Sequence, residues 1–254
     1  MQTGWRKLPG FFLPDRPRLQ SPRNVSGLPS VDSGDTYQVL ILCCDMLSDL
    51  HYKLLSAVSP FDEGVSALKL NVLRNIASRP NRTAAVLVPV LDKPEAEILL
   101  TVRSKELVQH PGQVSFPGGS VDRTDRSAVS TALREAEEEI GLDFSQVSPL
   151  GFLDRLDTIS DYRVLPVVGL VRSSFISKPD HREVSEVFTV PLEIAVNHRE
   201  YSHKVISEGG KSIVVSSLDW QGHRIWGITA AILLNLGSRM ENSSCDQMGF
   251  SLQK

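Results

Sequence analysis

GGSVDRTDRSAVSTALREAEEEIGL, residues Gly118 to Leu142, is the stretch from which the rest of the chain can be read. Adjacent glycines, Gly118 and Gly119, permit a tight turn, and behind them a helical pattern runs from about Asp125 to Ile140. Thr124 or Asp125 is the expected N-cap and Gly141 the expected stop. At about 100° per residue, Val129, Ala132, Leu133, Ala136 and Ile140 share one apolar arc, while Glu135, Glu138 and Glu139 share another. Those glutamates stand at i, i+3 and i+4, where like charges cost about 0.2–0.5 kcal/mol per pair. A solvated acidic face is one reading. The other is a site for a hard cation, since clustered carboxylate oxygens suit Mg²⁺ or Mn²⁺, and Arg134 is placed to hold one of the acids.

Outward from this helix the pattern turns to strands. Upstream, Ala84 to Leu91 and Glu97 to Val102 are β-rich and separated by Asp92, Lys93 and Pro94, which reads as a hairpin. Before it, Ser66 to Ser78 carries apolar residues at helical spacing ahead of Pro80. Downstream, Leu150 to Leu153, Val164 to Val171, Val187 to Leu192 and a further segment at Ile213 to Ser216 read as strands, and Gly227 to Leu236 as a closing helix. Strands on both sides of one central helix predict an α/β (α+β) fold, a mixed β-sheet sandwiched between α-helices. The expected organisation is a disordered or targeting segment over 1–40, a helical lead-in over 41–80, the main domain over 81–240 and a flexible tail over 241–254.

With 254 residues, 41% of them hydrophobic, the chain is long enough to bury a sizeable core. A net charge of -3 lacks the basic excess of a nucleic-acid binder, so no nucleic-acid partner is expected. Pro89 and Pro166 interrupt apolar runs that already fall short of the ~20 residues a membrane helix needs, so no membrane association is expected. Three cysteines, Cys43, Cys44 and Cys245, make neither a disulfide framework nor a zinc spacing. No metal spacing is visible at His110, His181, His198, His203 or His223 either. Residues 1 to 31 are arginine-rich and acid-poor, which suits a mitochondrial transit peptide, but their scattered prolines suit a plain tail of a cytoplasmic protein equally well.

The segment Gly118 to Leu142 resembles the Nudix hydrolase signature, a glycine loop followed by R-E-x-x-E-E-x-G, met here by Arg134, Glu135, Glu138, Glu139 and Gly141. Asp125 stands where the family has its first glutamate, one residue further from the arginine than the general pattern, and Ala136 is a small occupant of the aliphatic position. Upstream, LLTVRSKELVQHPGQVSFPGG, Leu99 to Gly119, resembles the additional motif of the coenzyme A diphosphatase subfamily. Leu99, Leu100, Thr101, Arg103, Ser104, Gly112, Phe116, Pro117, Gly118 and Gly119 meet it, and the longer Asp125 spacing also fits this subfamily. Val108 stands where that motif has an arginine, with Gln109 and His110 as stand-ins. The resemblance runs from about residue 66 to 236 and includes Glu183 to Phe188, Pro191, Leu192, Trp226, Gly227, Thr229 and Ala230.

The resemblance implies metal-dependent hydrolysis of the diphosphate of a small-molecule nucleotide substrate, coenzyme A and its acyl forms, to 3',5'-ADP and 4'-phosphopantetheine. It implies Mg²⁺ or Mn²⁺ held by Glu135, Glu138 and Glu139, with Arg134 beside them in the catalytic set. Arg103, Ser104, Gly112, Phe116, Gly118 and Gly119 are the implied substrate contacts. The proton of the attacking water goes to one of the trio or to a loop carboxylate, for which Glu183 and Glu186 are candidates, each weighed against plain surface charge. Asp157 and Asp161 stand behind them. The alternatives are another diphosphate substrate (ADP-ribose, a dinucleotide or a capped RNA end) and a Nudix-fold binding module without chemistry. A homodimer is an open assembly state.

Overall fold

The computed structural model describes residues 49–61, 82–158, 162–208 and 211–248. The expected 1–40 segment, the Ser66–Ser78 helix and Asp161 lie outside the described residues. Helix α1 (Asp49–Ala57) precedes strands β1 (Arg82–Asp92) and β2 (Glu97–Arg103), short strands β3 (Val114–Ser115) and β4 (Gly118–Ser120), and helix α2 (Ala128–Ile140). Strands β5 (Val147–Phe152), β6 (Leu156–Asp157), β7 (Tyr162–Arg172) and β8 (Val184–Pro191) follow, then helix α3 (Leu192–Ala195), strands β9 (Ser202–Glu208), β10 (Lys211–Trp220) and β11 (His223–Trp226), and helix α4 (Gly227–Met248).

The main sheet has the order β3-β2-β1-β7-β5, with β4 on β1, β6 on β7 and β8 on β2. It is mixed, as expected, because β1 and β7 run parallel while the other pairs are antiparallel. The hairpin of β1 and β2 pairs Val90 with Ile98 and Leu91 with Glu97. Pro89 interrupts nothing in this setting. Leu87 N–H bonds Pro117 O at 2.8 Å, so the nitrogen of Pro89, two residues on, turns to the same edge. There it lies past β4, which ends its pairing at Val86, and short of the β2 pairing that starts at Val90, so no donor is needed.

Alternation along the strands feeds one core on each face. Ala85, Leu87 and Leu91 of β1, Leu99 of β2 and Leu165 and Val167 of β7 pack under α2, whose buried stripe is Ala128, Ala132, Ala136 and Ile140. Val88, Val90, Ile98, Leu100, Val164 and Val168 face the other way, against Leu54 of α1 and Ile232, Leu233 and Leu236 of α4. The small sheet β11-β10-β9 lies on that second side, where Trp220 Nε1 donates to Thr189 O of β8 at 3.0 Å. Helices on both faces of a mixed sheet give the expected α+β class.

Some boundaries differ from expectation. Helix α2 starts at Ala128 and is capped by Ser127, not by Thr124 or Asp125. Ser127 Oγ accepts Ser130 N–H at 3.1 Å while Ser130 Oγ accepts Ser127 N–H at 2.8 Å, a reciprocal box that satisfies two orphan donors. Helix α4 runs past Leu236 to Met248, into the stretch expected as a tail. Arg239 ties it down, donating from Nε to Ala57 O at 2.6 Å, from Nη1 to Asp154 Oδ1 at 2.8 Å and from Nη2 to Ser59 Oγ at 2.9 Å.

Candidate active site

Two glycines bring the acidic face of α2 against the sheet. Gly119 pairs with Ala85, and a Cβ built on it would lie 2.5 Å from the Glu135 carboxylate. Gly118 pairs with Val86 at a φ of +156°, and its Cβ would lie 2.5 Å from Ala85 O. Bare backbone at Gly119 is therefore what lets the helix approach, while at Gly118 it lets β4 lie against β1. The Gly118 N–H donates to Glu139 Oε2 at 3.3 Å.

Glu139 is only 3% exposed, and burial pushes its carboxyl up to about 8, against the bond from Gly118 and the nearby Arg103 charge. Burial also raises Glu135, with the Arg134 guanidinium acting in the other direction. Glu138 stands outermost, its side chain 57% exposed. Glu135 and Glu138 are tied together by Arg134, whose Nη1 lies 3.0 Å from Glu135 Oε1 and 2.9 Å from Glu138 Oε2. Its Nη2 also donates to Ser120 O at 3.3 Å, linking helix to glycine turn.

Arg134 is in turn gripped by Asp125. Nε donates to Oδ1 at 3.1 Å and Nη2 to Oδ2 at 3.0 Å. Oδ2 also accepts Thr131 Oγ1 at 2.9 Å and Asp122 N–H at 2.8 Å. The Asp125 side chain is 4% exposed. Burial works against its ionisation, but the bonds from Arg134, Asp122 and Thr131 outweigh burial and hold the carboxyl below the usual aspartate range. Asp125 thus positions the arginine and is consumed in doing so, which the sequence reading did not see.

The substrate residues expected from sequence divide into groups. Arg103 ends β2 at a β-bulge and lies close enough to Glu139 to favour its ionised form. Ser104 and Gly112 shape the loop beyond it: Ser104 is buried, with its N–H on Glu183 O at 2.8 Å, and Gly112, at a φ of +70°, donates its N–H to Arg103 O at 3.1 Å. Phe116 is 3% exposed, in the core on the sheet face away from α2. Val108, Gln109 and His110 lie in the loop, with Gln109 O accepting Arg103 Nε at 3.4 Å.

The structure separates the two candidate loop carboxylates. Glu186 turns to the α4 side of the sheet, 3.3 Å from His223 Nε2, beside the Phe188–His223 ring stack at 4.0 Å. Glu183 faces the acidic cluster, its charge contributing to the raised values of both Glu135 and Glu139. The loop carrying it docks on the end of α2 through Lys178 N–H to Ile140 O at 2.8 Å and Asp180 N–H to Glu139 O at 2.9 Å. Asp157 is elsewhere, bound to Arg163 Nε at 2.9 Å. Among the described residues, no three His, Cys, Asp or Glu side chains converge into a metal-holding group as they stand, and Arg134 Nη1 sits between Glu135 and Glu138. No helix among the described residues is long and apolar enough to cross a membrane.

Comparison with known proteins bears on this arrangement. A family model described as the NUDIX domain matches residues 81–207. The chain is 41% identical over 161 residues to a Photorhabdus laumondii protein described as an uncharacterized Nudix hydrolase, NudL, covering 63% of this chain and 86% of that protein. It is 42% identical over 156 residues to the Escherichia coli K12 protein of the same description, covering 61% and 81%. Among solved structures, a Methanosarcina mazei MutT protein overlaps with a TM-score of 0.43 at 19% identity, over 66% of this chain and 98% of that one.

Proposed function

The chain belongs to the Nudix hydrolases, and from that premise we propose that the diphosphate it cleaves is that of coenzyme A, free or acylated, giving 3',5'-ADP and 4'-phosphopantetheine. The observation that carries this reading is the placement of Arg103 beside Glu139, at the base of the loop whose sequence resembles the coenzyme A motif. A basic side chain for a substrate phosphate thus adjoins the carboxylates that serve the reaction.

The donor set fits a hard divalent cation. It offers oxygen alone, and burial raises both Glu135 and Glu139, so positive charge brought to them would favour their ionised forms. Glu135 and Glu139 would hold Mg²⁺ or Mn²⁺, with Glu138 completing the set. Such an ion, when bound, neutralises diphosphate oxygens and lowers the pKa of the attacking water.

The chain's own groups do the rest. Arg103 binds a phosphate oxygen. Arg134, fixed by Asp125, keeps Glu135 and Glu138 on the reacting side of the helix. The Glu183 carboxylate accepts the proton of the water as its oxygen bonds to phosphorus, and the bond from phosphorus to the bridging oxygen breaks with its electron pair going to the leaving phosphate. A panel of coenzyme A, an acyl-coenzyme A, ADP-ribose and a dinucleotide, incubated with Mg²⁺ or Mn²⁺ and resolved by chromatography, tests the reading. Coenzyme A as the best substrate supports it; ADP-ribose or the dinucleotide as the best overturns the coenzyme A assignment within the family.

A further inference from the structure

We propose that Asp180 is a positioning residue for the hydrolysis, an inference that rests on Glu183 being the proton acceptor assigned above. Asp180 shapes the turn that carries Glu183 and fastens that turn to the end of α2, so that Glu183 keeps its place against Glu139.

A helix leaves its last four carbonyls without an internal partner. At the end of α2 the cap takes two carbonyls, Leu142 N–H donating to Ala136 O at 3.2 Å and Gly141 N–H to Glu137 O at 2.9 Å. Glu139 O and Ile140 O are filled from a distant segment, by Asp180 N–H at 2.9 Å and Lys178 N–H at 2.8 Å. Alternate residues of an extended chain turn their N–H groups to the same side, which is how Lys178 and Asp180 both reach the helix.

At Asp180 the chain reverses. Its carbonyl accepts Glu183 N–H at 2.9 Å and Val184 N–H at 2.8 Å, and its Oδ1 accepts Arg182 N–H at 3.0 Å. Three successive N–H groups thus converge on one residue, whose own N–H lies on Glu139 O. From the other side, Glu183 O accepts Ser104 N–H at 2.8 Å, and Val184 pairs with Arg103 as β8 begins. The backbone of Glu183 is therefore held between the end of α2 and the end of β2, the two elements that present Glu139 and Arg103.

The side-chain part of this arrangement can be removed without touching the backbone. The Arg182 guanidinium also bonds the Asp180 carboxylate, Nε to Oδ1 at 3.0 Å, but the Arg182 side chain is 87% exposed and such a pair contributes little. What shapes the turn is Oδ1 as acceptor for Arg182 N–H, a bond that an asparagine amide oxygen reproduces and alanine does not. Asparagine should therefore serve at this position and alanine should not.

The experiment measures kcat and KM for the wild type, Asp180→Ala, Asp180→Asn, Glu183→Gln and the Asp180→Ala/Glu183→Gln double variant. It uses Mg²⁺ and whichever member of the substrate panel is cleaved fastest, with thermal melts to show that each protein is folded. Expected in Asp180→Ala is a kcat about tenfold lower at an unchanged KM, short of the ~10²-fold that a 1 Å misplacement can cost. Asp180→Asn should restore wild-type kcat. In the Glu183→Gln background Asp180→Ala should cause no further loss, because it acts through the group already removed. An unchanged kcat in Asp180→Ala, an Asp180→Asn as impaired as alanine, or the same fractional loss with and without Glu183 overturns the proposal and leaves the base assignment standing. Wild-type kcat in Glu183→Gln overturns the base assignment and the proposal with it.

Discussion

Arg134 and Asp125 are joined by two parallel hydrogen bonds, Nε to Oδ1 at 3.1 Å and Nη2 to Oδ2 at 3.0 Å, across the turn that leads into the acidic helix. Because the same guanidinium contacts Glu135, Glu138 and Ser120 O, the aspartate acts on the reacting carboxylates through the arginine. Asp125→Asn keeps the shape and removes the charge. Groups that orient metal-binding side chains typically contribute about 10- to 100-fold in metal affinity or activity, and a loss in that range is expected here, read as a shift of the Mg²⁺ activation curve. An unchanged curve with a lowered thermal midpoint would make the pair structural only.

Glu139→Gln should nearly abolish turnover and alter how stability depends on pH. Burial pushes the folded carboxyl up to about 8, well above the usual glutamate range. With the folded value raised, the neutral acid's contribution to stability is fully present below the unfolded value and is lost as pH rises through the folded one. In EDTA, the variant should therefore melt above the wild type at pH 9 and approach it at pH 6, while Mg²⁺ should stabilise the wild type alone. Parallel melting curves at both pH values would falsify the burial argument.

The sequence was most informative where chemistry repeats along one element. Glu135, Glu138 and Glu139 lie together because helical spacing compels it, and Gly118 sits where only glycine fits. The β1–β2 hairpin and β7 were legible from β-rich runs, whereas β3, β4 and β6 are two or three residues long and carry no period. Contacts between distant segments left no local trace. Nothing in the sequence near Glu183 distinguishes it from Glu186; strand alternation and a docked loop send one to α2 and the other to His223. The N-cap was misplaced because Asp125 is a good capping residue by type, and only the fold spends its carboxylate on Arg134 and Thr131.

Glu183→Gln and Glu186→Gln separate the two loop carboxylates. A positioned general base contributes about 10²- to 10⁴-fold, so the first substitution should lower kcat within that range. The second, on the far face beside His223, should leave kcat within a few-fold of wild type. The reverse order of effects would exchange their roles.

Phe116→Leu tests whether the ring packs or binds. At 3% exposure in the core, its loss removes buried contacts, and conservative large-to-small changes there cost about 1–3 kcal/mol. A lowered thermal midpoint with KM within twofold of wild type is expected. A raised KM with an unaltered midpoint would return Phe116 to the substrate site.

Gly119→Ala and Gly118→Ala place the same methyl group against different obstacles. At Gly119 the new Cβ meets the Glu135 carboxylate, the far end of a flexible side chain, and that end can swing away. The fold should survive with a thermal midpoint close to wild type, while Glu135 is pushed out of register with Glu139 and the Mg²⁺ requirement rises. At Gly118 the Cβ meets Ala85 O and Val86 Cα, which belong to the sheet, and the φ of +156° is itself unfavourable for alanine. Backbone cannot yield as a carboxylate does, so that variant should lose stability first and activity as a consequence. Thermal melts and Mg²⁺ titrations of the two proteins read this contrast directly. A Gly119→Ala enzyme with unchanged Mg²⁺ dependence would show that Glu135 reacts from a position the methyl group does not touch, and would remove it from the metal-binding set.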